Sequence, residues 1–320
     1  MKAHRTLALS AALTVLVGLP LAADWPITEK VDLDAVYRIK DEGLQRSKVM
    51  DIESYLTDVY GPRLTGSPNI KEAGEWAQKT MREWGLANVH TEPWPFGRGW
   101  QNQRFSASAV SPRAYPLIAY PKAWTPGTNG PVTGEAVLAV IQRESDFDTF
   151  RGKLRGKFVL STGARQINAH FEADGHRYTD EELADLAKQP QAGRGRGNFT
   201  PPNAEFTRKR NQFYIDEGVL AVIDPGTRGD GGTLFVQSGG SRDPKDPPVP
   251  PQVVVAAEHY GRIVRTLEKK IPVTLTMDID NKFYDDDLNA FNVVGEIPGT
   301  DKADELVMLG AHFDSWHTGT

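Results

Sequence analysis

At 320 residues the chain is long enough for two domains, or for one large one. Hydrophobic residues make up 39% and charged residues 25%, as in a soluble globular protein, and a net charge of -5 gives no global sign of a nucleic-acid or anionic-membrane partner. There are no cysteines, which excludes disulfides and thiolate metal sites, so any metal must be held by histidines and carboxylates.

The chain opens with a basic start, Lys2, His4 and Arg5. A mostly apolar run from Leu7 to Leu19 follows, then small residues in Pro20-Leu21-Ala22-Ala23 before Asp24. That three-part pattern is a secretory signal over residues 1–23. The run is short for a membrane-spanning helix, which needs about 20 residues, although an uncleaved anchor is the other reading. Export to a secreted or periplasmic location, with no stable membrane insertion after signal removal, is the expectation. From Thr28 to Tyr60 apolar residues recur at threes and fours among charges, which predicts helix, with Gly43 bending or dividing it. Gly61-Pro62-Arg63-Leu64-Thr65-Gly66-Ser67-Pro68 is a punctuated loop. An amphipathic helix follows it through Ala73, Trp76, Ala77 and Met81, ending at Gly85. Ala87 to Trp94 alternates like an edge strand, limited by Pro93. Gln101 to Ala109 and Arg113 to Tyr120 read as short strands.

From about Tyr120 prolines and glycines mark a boundary. Beyond it, strands are expected at 135–141, 157–161, 218–224, 233–237, 253–256 and 272–280, and helices at 203–217 and 258–270. Lys188 to Pro202, with its alternating Gly and Arg, reads as a loop, and Arg242 to Pro251 as a stiff proline-dense one.

The last stretch carries the chemistry. Leu306-Val307-Met308-Leu309 is a short apolar run that predicts a buried strand, and it breaks into a Gly-, Ser- and Thr-rich loop. His312 and Asp314 sit at the break. On extended backbone, residues two apart point to the same side. A carboxylate placed there fixes the imidazole tautomer and raises its basicity as a metal ligand. Taken alone, the pair reads either as a ligand with its orienting acid or as a hydrogen-bonded loop pair.

The wider string, Asn292-Val293-Val294-Gly295 followed by Leu309-Gly310-Ala311-His312-Phe313-Asp314-Ser315-Trp316, resembles the two-zinc exopeptidases of metallopeptidase family twenty-eight. The loop at 61–68 resembles the segment that precedes the family's first sheet strand. The resemblance implies a three-layer αβα fold of class α/β, His312 as a zinc ligand, and Asp314 as the catalytic-site acid that orients it. It also implies two Zn2+ ions sharing a water that attacks a peptide substrate. The family's bridging Asp, further ligands and general-base Glu fall beyond Thr320, so the sequence looks like the N-terminal part of a longer enzyme, inactive and poorly soluble alone. The Gly156-Lys157-Phe158-Val159-Leu160 strand and Gly218-Val219-Leu220-Ala221-Val222 resemble a protease-associated domain. That gives a signal at 1–23, a discontinuous peptidase part at 24–124 plus 281–320, and a β-rich protease-associated insertion at 125–280. Dimerisation is common in the family, so a homodimer stands as an option. The competing class is a non-catalytic secreted module that binds peptides or proteins.

Other candidates carry less. His170 and His176, six apart, do not share a face. Asp285-Asp286-Asp287 lacks the alternation and glycine turn of a calcium loop. Arg194, Arg196, Arg208, Lys209 and Arg210 lack interleaved aromatics and read as a solvated face. His317 is left unassigned. Arg63 could grip a substrate carboxylate, but a loop-stabilising hydrogen bond is the preferred role.

Overall fold

A computed structural model describes residues 31–173, 175–188 and 203–319. The signal expected at 1–23 lies outside them, as do Arg194, Arg196 and nearly all of the Gly/Arg loop. The chain divides into two compact units, Met1–Met50 and Asp51–Thr320.

In the first unit α1 spans Leu33–Gln45, capped where the Asp32 carboxylate accepts the Ala35 N–H at 3.0 Å. The helix runs through Gly43 and ends at Arg46, so the expected division falls a few residues later. Next comes α2 (Val49–Ser54), which spans the boundary between the units, and the second unit opens with a π-turn at Tyr55–Val59.

In the second unit Ser67 caps α3 (Pro68–Glu83), with proline at the favoured first position. The strands are β1 (Ala87–Pro95), β2 (Gly99–Ser111), β3 (Tyr115–Pro116), β4 (Ala119–Pro121), β5 (Val132–Leu138), β6 (Phe158–Leu160), β7 (Ala221–Pro225), β8 (Gln252–Val255), β9 (Thr274–Tyr284) and β10 (Asn289–Glu296). The remaining helices are α4 (Phe147–Phe150), α5 (Asp180–Lys188), α6 (Ala204–Glu217) and α7 (Ala257–Glu268).

Strands β1 and β10 form an antiparallel pair under α3. Gly74 of α3 permits that packing, because a Cβ there would come within 2.6 Å of the Phe291 ring. The other eight strands form one sheet in the order β3-β2-β9-β5-β6-β7-β8-β4, with β5 to β8 parallel. Its centre is buried on both faces. In β6, Phe158 and Leu160 pack with Tyr260, Ile263 and Val264 of α7, while Val159 packs with Phe213 and Tyr214 of α6. A continuous apolar run with helices on both sides is what a parallel strand requires. The class is therefore mixed α/β.

One sheet crosses the expected domain edge, and two expected strands are not formed. The strands at 99–121, assigned by sequence to the peptidase part, pair in the same sheet as those of 132–284. Residues 233–237 are irregular, and nearby only a single bridge joins Ala123 and Ser238. Residues 305–315 form no strand, and Leu306, Val307, Met308 and Leu309 are 78–96% exposed. A strand needs a neighbour for its backbone groups, and among the described residues none lies beside this run. Helix α5 was not anticipated.

Candidate functional site

The loop at 311–319 is fastened to the loop at 61–67, which packs against the start of β2. The second approach is set by glycine: a Cβ on Gly99 would meet the Gly66 carbonyl oxygen at 2.0 Å, and Gly66 itself holds φ +80°. Arg63, 8% exposed, makes the fastening. Its Nε donates to the Phe313 carbonyl at 3.0 Å and its Nη1 to the Leu56 carbonyl. Its backbone N–H donates to Ser315 Oγ, and the Ser315 N–H donates back to the Arg63 carbonyl, each at 3.0 Å. Arg63 thus takes the loop-stabilising role. Burial lowers its pKa, against the opposing influence of Glu53 and Asp314.

His312 and Asp314 meet as expected, with Nδ1 2.9 Å from Asp314 Oδ1. Opposite a carboxylate, Nδ1 carries the proton and Nε2 keeps its lone pair. The imidazole is 89% exposed and Nε2 makes no hydrogen bond among the described residues. The other carboxylate oxygen, Asp314 Oδ2, accepts from the Thr65 hydroxyl. Burial disfavours the charged carboxylate, but the Thr65 and His312 hydrogen bonds outweigh it and hold the pKa below the ordinary value. The set can present one oriented, basic nitrogen to a cation.

His317 lies five residues on and faces the other way. It is 4% exposed, and its Nε2 donates to the Pro121 carbonyl at the end of β4 at 2.8 Å. Its ring stands edge-on to Trp100 at 5.1 Å and lies 5.7 Å from Tyr120. Burial pulls its pKa down to about 4.

The remaining candidates are dispersed. His170 Nε2 lies 2.8 Å from Asp230, and His176 Nε2 lies 3.0 Å from Glu182. Asp285 pairs with Arg98, and Asp287 accepts from Asn289. Lys209 pairs with Glu144 and Glu205. Among the described residues no three His, Asp or Glu side chains gather as a metal site, and no helix is long and apolar enough to cross a membrane. A cleft of about 460 Å3 between the segments after β6 and β7 shares no residue with the 312–317 loop. Sequence reasoning missed Thr65 and gave His317 no role. Nothing in the spacing relates residue 65 to residue 314, or residue 317 to Trp100 and Tyr120, so no local signal marked either one.

No family model matches the chain. It is 25% identical over 267 residues to carboxypeptidase Q of Bos taurus, covering 82% of this chain and 48% of that protein. It is 23% identical over 288 residues to carboxypeptidase Q of Homo sapiens, covering 89% and 53%. Its fold matches the crystal structure of a peptidase M28 precursor from Shewanella amazonensis SB2B, with TM-score 0.53, 21% identity and coverage of 88% of this chain and 57% of that one. The fold is that of an M28-type peptidase. In sequence the chain is similar to carboxypeptidase Q, so fold and sequence both point toward the M28 metallopeptidases. It spans about half the length of the curated relatives it matches.

Proposed function

We propose that the chain contributes to a zinc-dependent exopeptidase acting on peptides, with His312 as a zinc ligand and Asp314 as the acid that orients it. The observation that carries this is the relay Thr65–Asp314–His312, which leaves one basic, exposed nitrogen outward. Zinc, when bound, supplies a water of lowered pKa for attack on a peptide carbonyl. His312 fits the part of one ligand, but a catalytic zinc usually has three protein ligands, and the described residues do not gather them. We therefore expect zinc titration of the 320-residue chain to show only weak binding; tight stoichiometric binding at neutral pH contradicts that. In this reading residues 1–23 export the protein. The peptidase part comprises α3, β1, β10 and the 312–319 loop. The inserted protease-associated unit reaches from β2 to β9, wider than the 125–280 expected from sequence, since those strands share one sheet.

The dispersal of the other histidines and acids favours one second reading, a secreted module that binds peptides without metal. Hydrolysis of unblocked dipeptides by the product of the whole genomic reading frame, before and after chelation, separates the two. Chelation should abolish cleavage, and cleavage that survives it removes the zinc reading.

A further inference from the structure

The His312 side chain is almost wholly in solvent, so packing does not place it. Its position is set by the Asp314 carboxylate and by the backbone that follows it in the chain. Arg63 holds the carbonyl of Phe313 and both polar groups it reaches on Ser315. On the far side the next fixed point is His317, whose ring is enclosed by Trp100, Tyr120 and Trp316.

The hydrogen bond to Pro121 settles the state of that ring. A carbonyl accepts only, so Nε2 carries the proton. Nδ1 then holds a bare lone pair, and it is buried with no hydrogen-bond partner. A lone pair enclosed in this way is not available to a metal. The orphaned nitrogen is tolerable while the ring is neutral and costly once it must carry a proton. A phenylalanine would fill the same space but leave the Pro121 carbonyl without its donor. The hydrogen bond therefore accounts for an imidazole at this place in an aromatic cluster.

We propose that His317 is a positioning residue, a neutral imidazole that keys the loop bearing His312 and Asp314 to the end of β4 in the eight-stranded sheet. Between this anchor and Arg63, the segment 313–317 is held at both ends by different parts of the fold. The consequence for metal binding rests on the zinc reading above; the anchoring itself does not, and it is measured without metal.

The test is nitrogen-15 NMR of the metal-free chain. In the unmutated protein His317 should show a single Nε2–H tautomer and stay neutral from about pH 8 to about pH 5, where an ordinary histidine protonates. His317→Phe should raise amide exchange at Ser315 and Gly319 by roughly 10-fold, the size expected for a lost hydrogen bond, and turn the His312 tautomer into a mixture. His317→Gln, which keeps an N–H donor, should restore both. A residue that only filled space would be satisfied by Phe and gain nothing from Gln. Unchanged exchange at Ser315 with an unchanged His312 tautomer in His317→Phe overturns the proposal. So does a His317 that titrates with an ordinary pKa in the unmutated chain, a measurement that stands even if the Phe variant does not fold. Cleavage insensitive to chelation would remove the zinc reading and leave this result standing.

Discussion

Two apolar runs in this chain have nearly the same composition and opposite fates. Phe158-Val159-Leu160 in β6 is fully buried, paired on both edges and covered by helices on both faces. Leu306-Val307-Met308-Leu309 is exposed and irregular. Side-chain hydrophobicity is common to both, so it does not decide the outcome. The neighbours do: β5 and β7 take up the backbone groups of the first run, and among the described residues nothing does so for the second. Yet the residues just after the second run are well fixed. The 312–317 loop owes its order to a few polar bonds and one buried ring rather than to strand pairing.

The largest expected effect falls on the buried run. Leu160→Ala should cost about 2–5 kcal/mol, read from urea unfolding, because it removes a side chain enclosed on all sides. Acid should then act on the loop through His317. Its pKa is about 4 when folded and 6.5 otherwise, so the unfolded chain takes up the proton first as pH falls. The stabilisation is complete above about pH 6.5 and is lost as pH drops toward 4, by about 3 kcal/mol in all. Unfolding curves of the unmutated chain and His317→Phe across that range should converge as pH falls; parallel curves would mean the imidazole is not buried neutral. Asp314 adds a separate loss at lower pH, because its folded pKa lies below 3.8 and its contribution goes as pH falls through that depressed value. Thr65→Val removes one hydrogen bond to that carboxylate and should cost about 1.5 kcal/mol while raising the Asp314 pKa, visible in carbon-13 titration. The smallest effect belongs to the exposed run: Leu309→Ala should change stability by no more than about 0.5 kcal/mol. A large loss there would show that the run is covered in solution and would undo the contrast.

Much of the fold was legible. Periodicity and glycine–proline punctuation predicted α3, α6, α7, β1 and most strands of the large sheet within a few residues. Residues 305–309 misled because an apolar run reports its wish for burial and not whether a partner strand exists. The expected domain edge at 125 falls inside one sheet for a related reason: pairing of β2 with β9 joins positions some 170 apart, and no local pattern carries that. At the site, the hydrogen bond between His312 and Asp314 was legible because they are two residues apart on one side of the backbone, while their zinc role was implied only by the resemblance. Thr65 was not, since its link to Asp314 spans 249 positions.

The facing glycines at 66 and 99 carry one more consequence. Every missense change of a glycine codon adds at least one carbon, and at 99 that carbon would collide with a main-chain oxygen rather than with a side chain able to swing aside. In a saturation library scored for a folded product, position 99 should therefore come back empty, while Gly43, with nothing within 4 Å of its would-be Cβ, should accept nearly any residue that tolerates a helix.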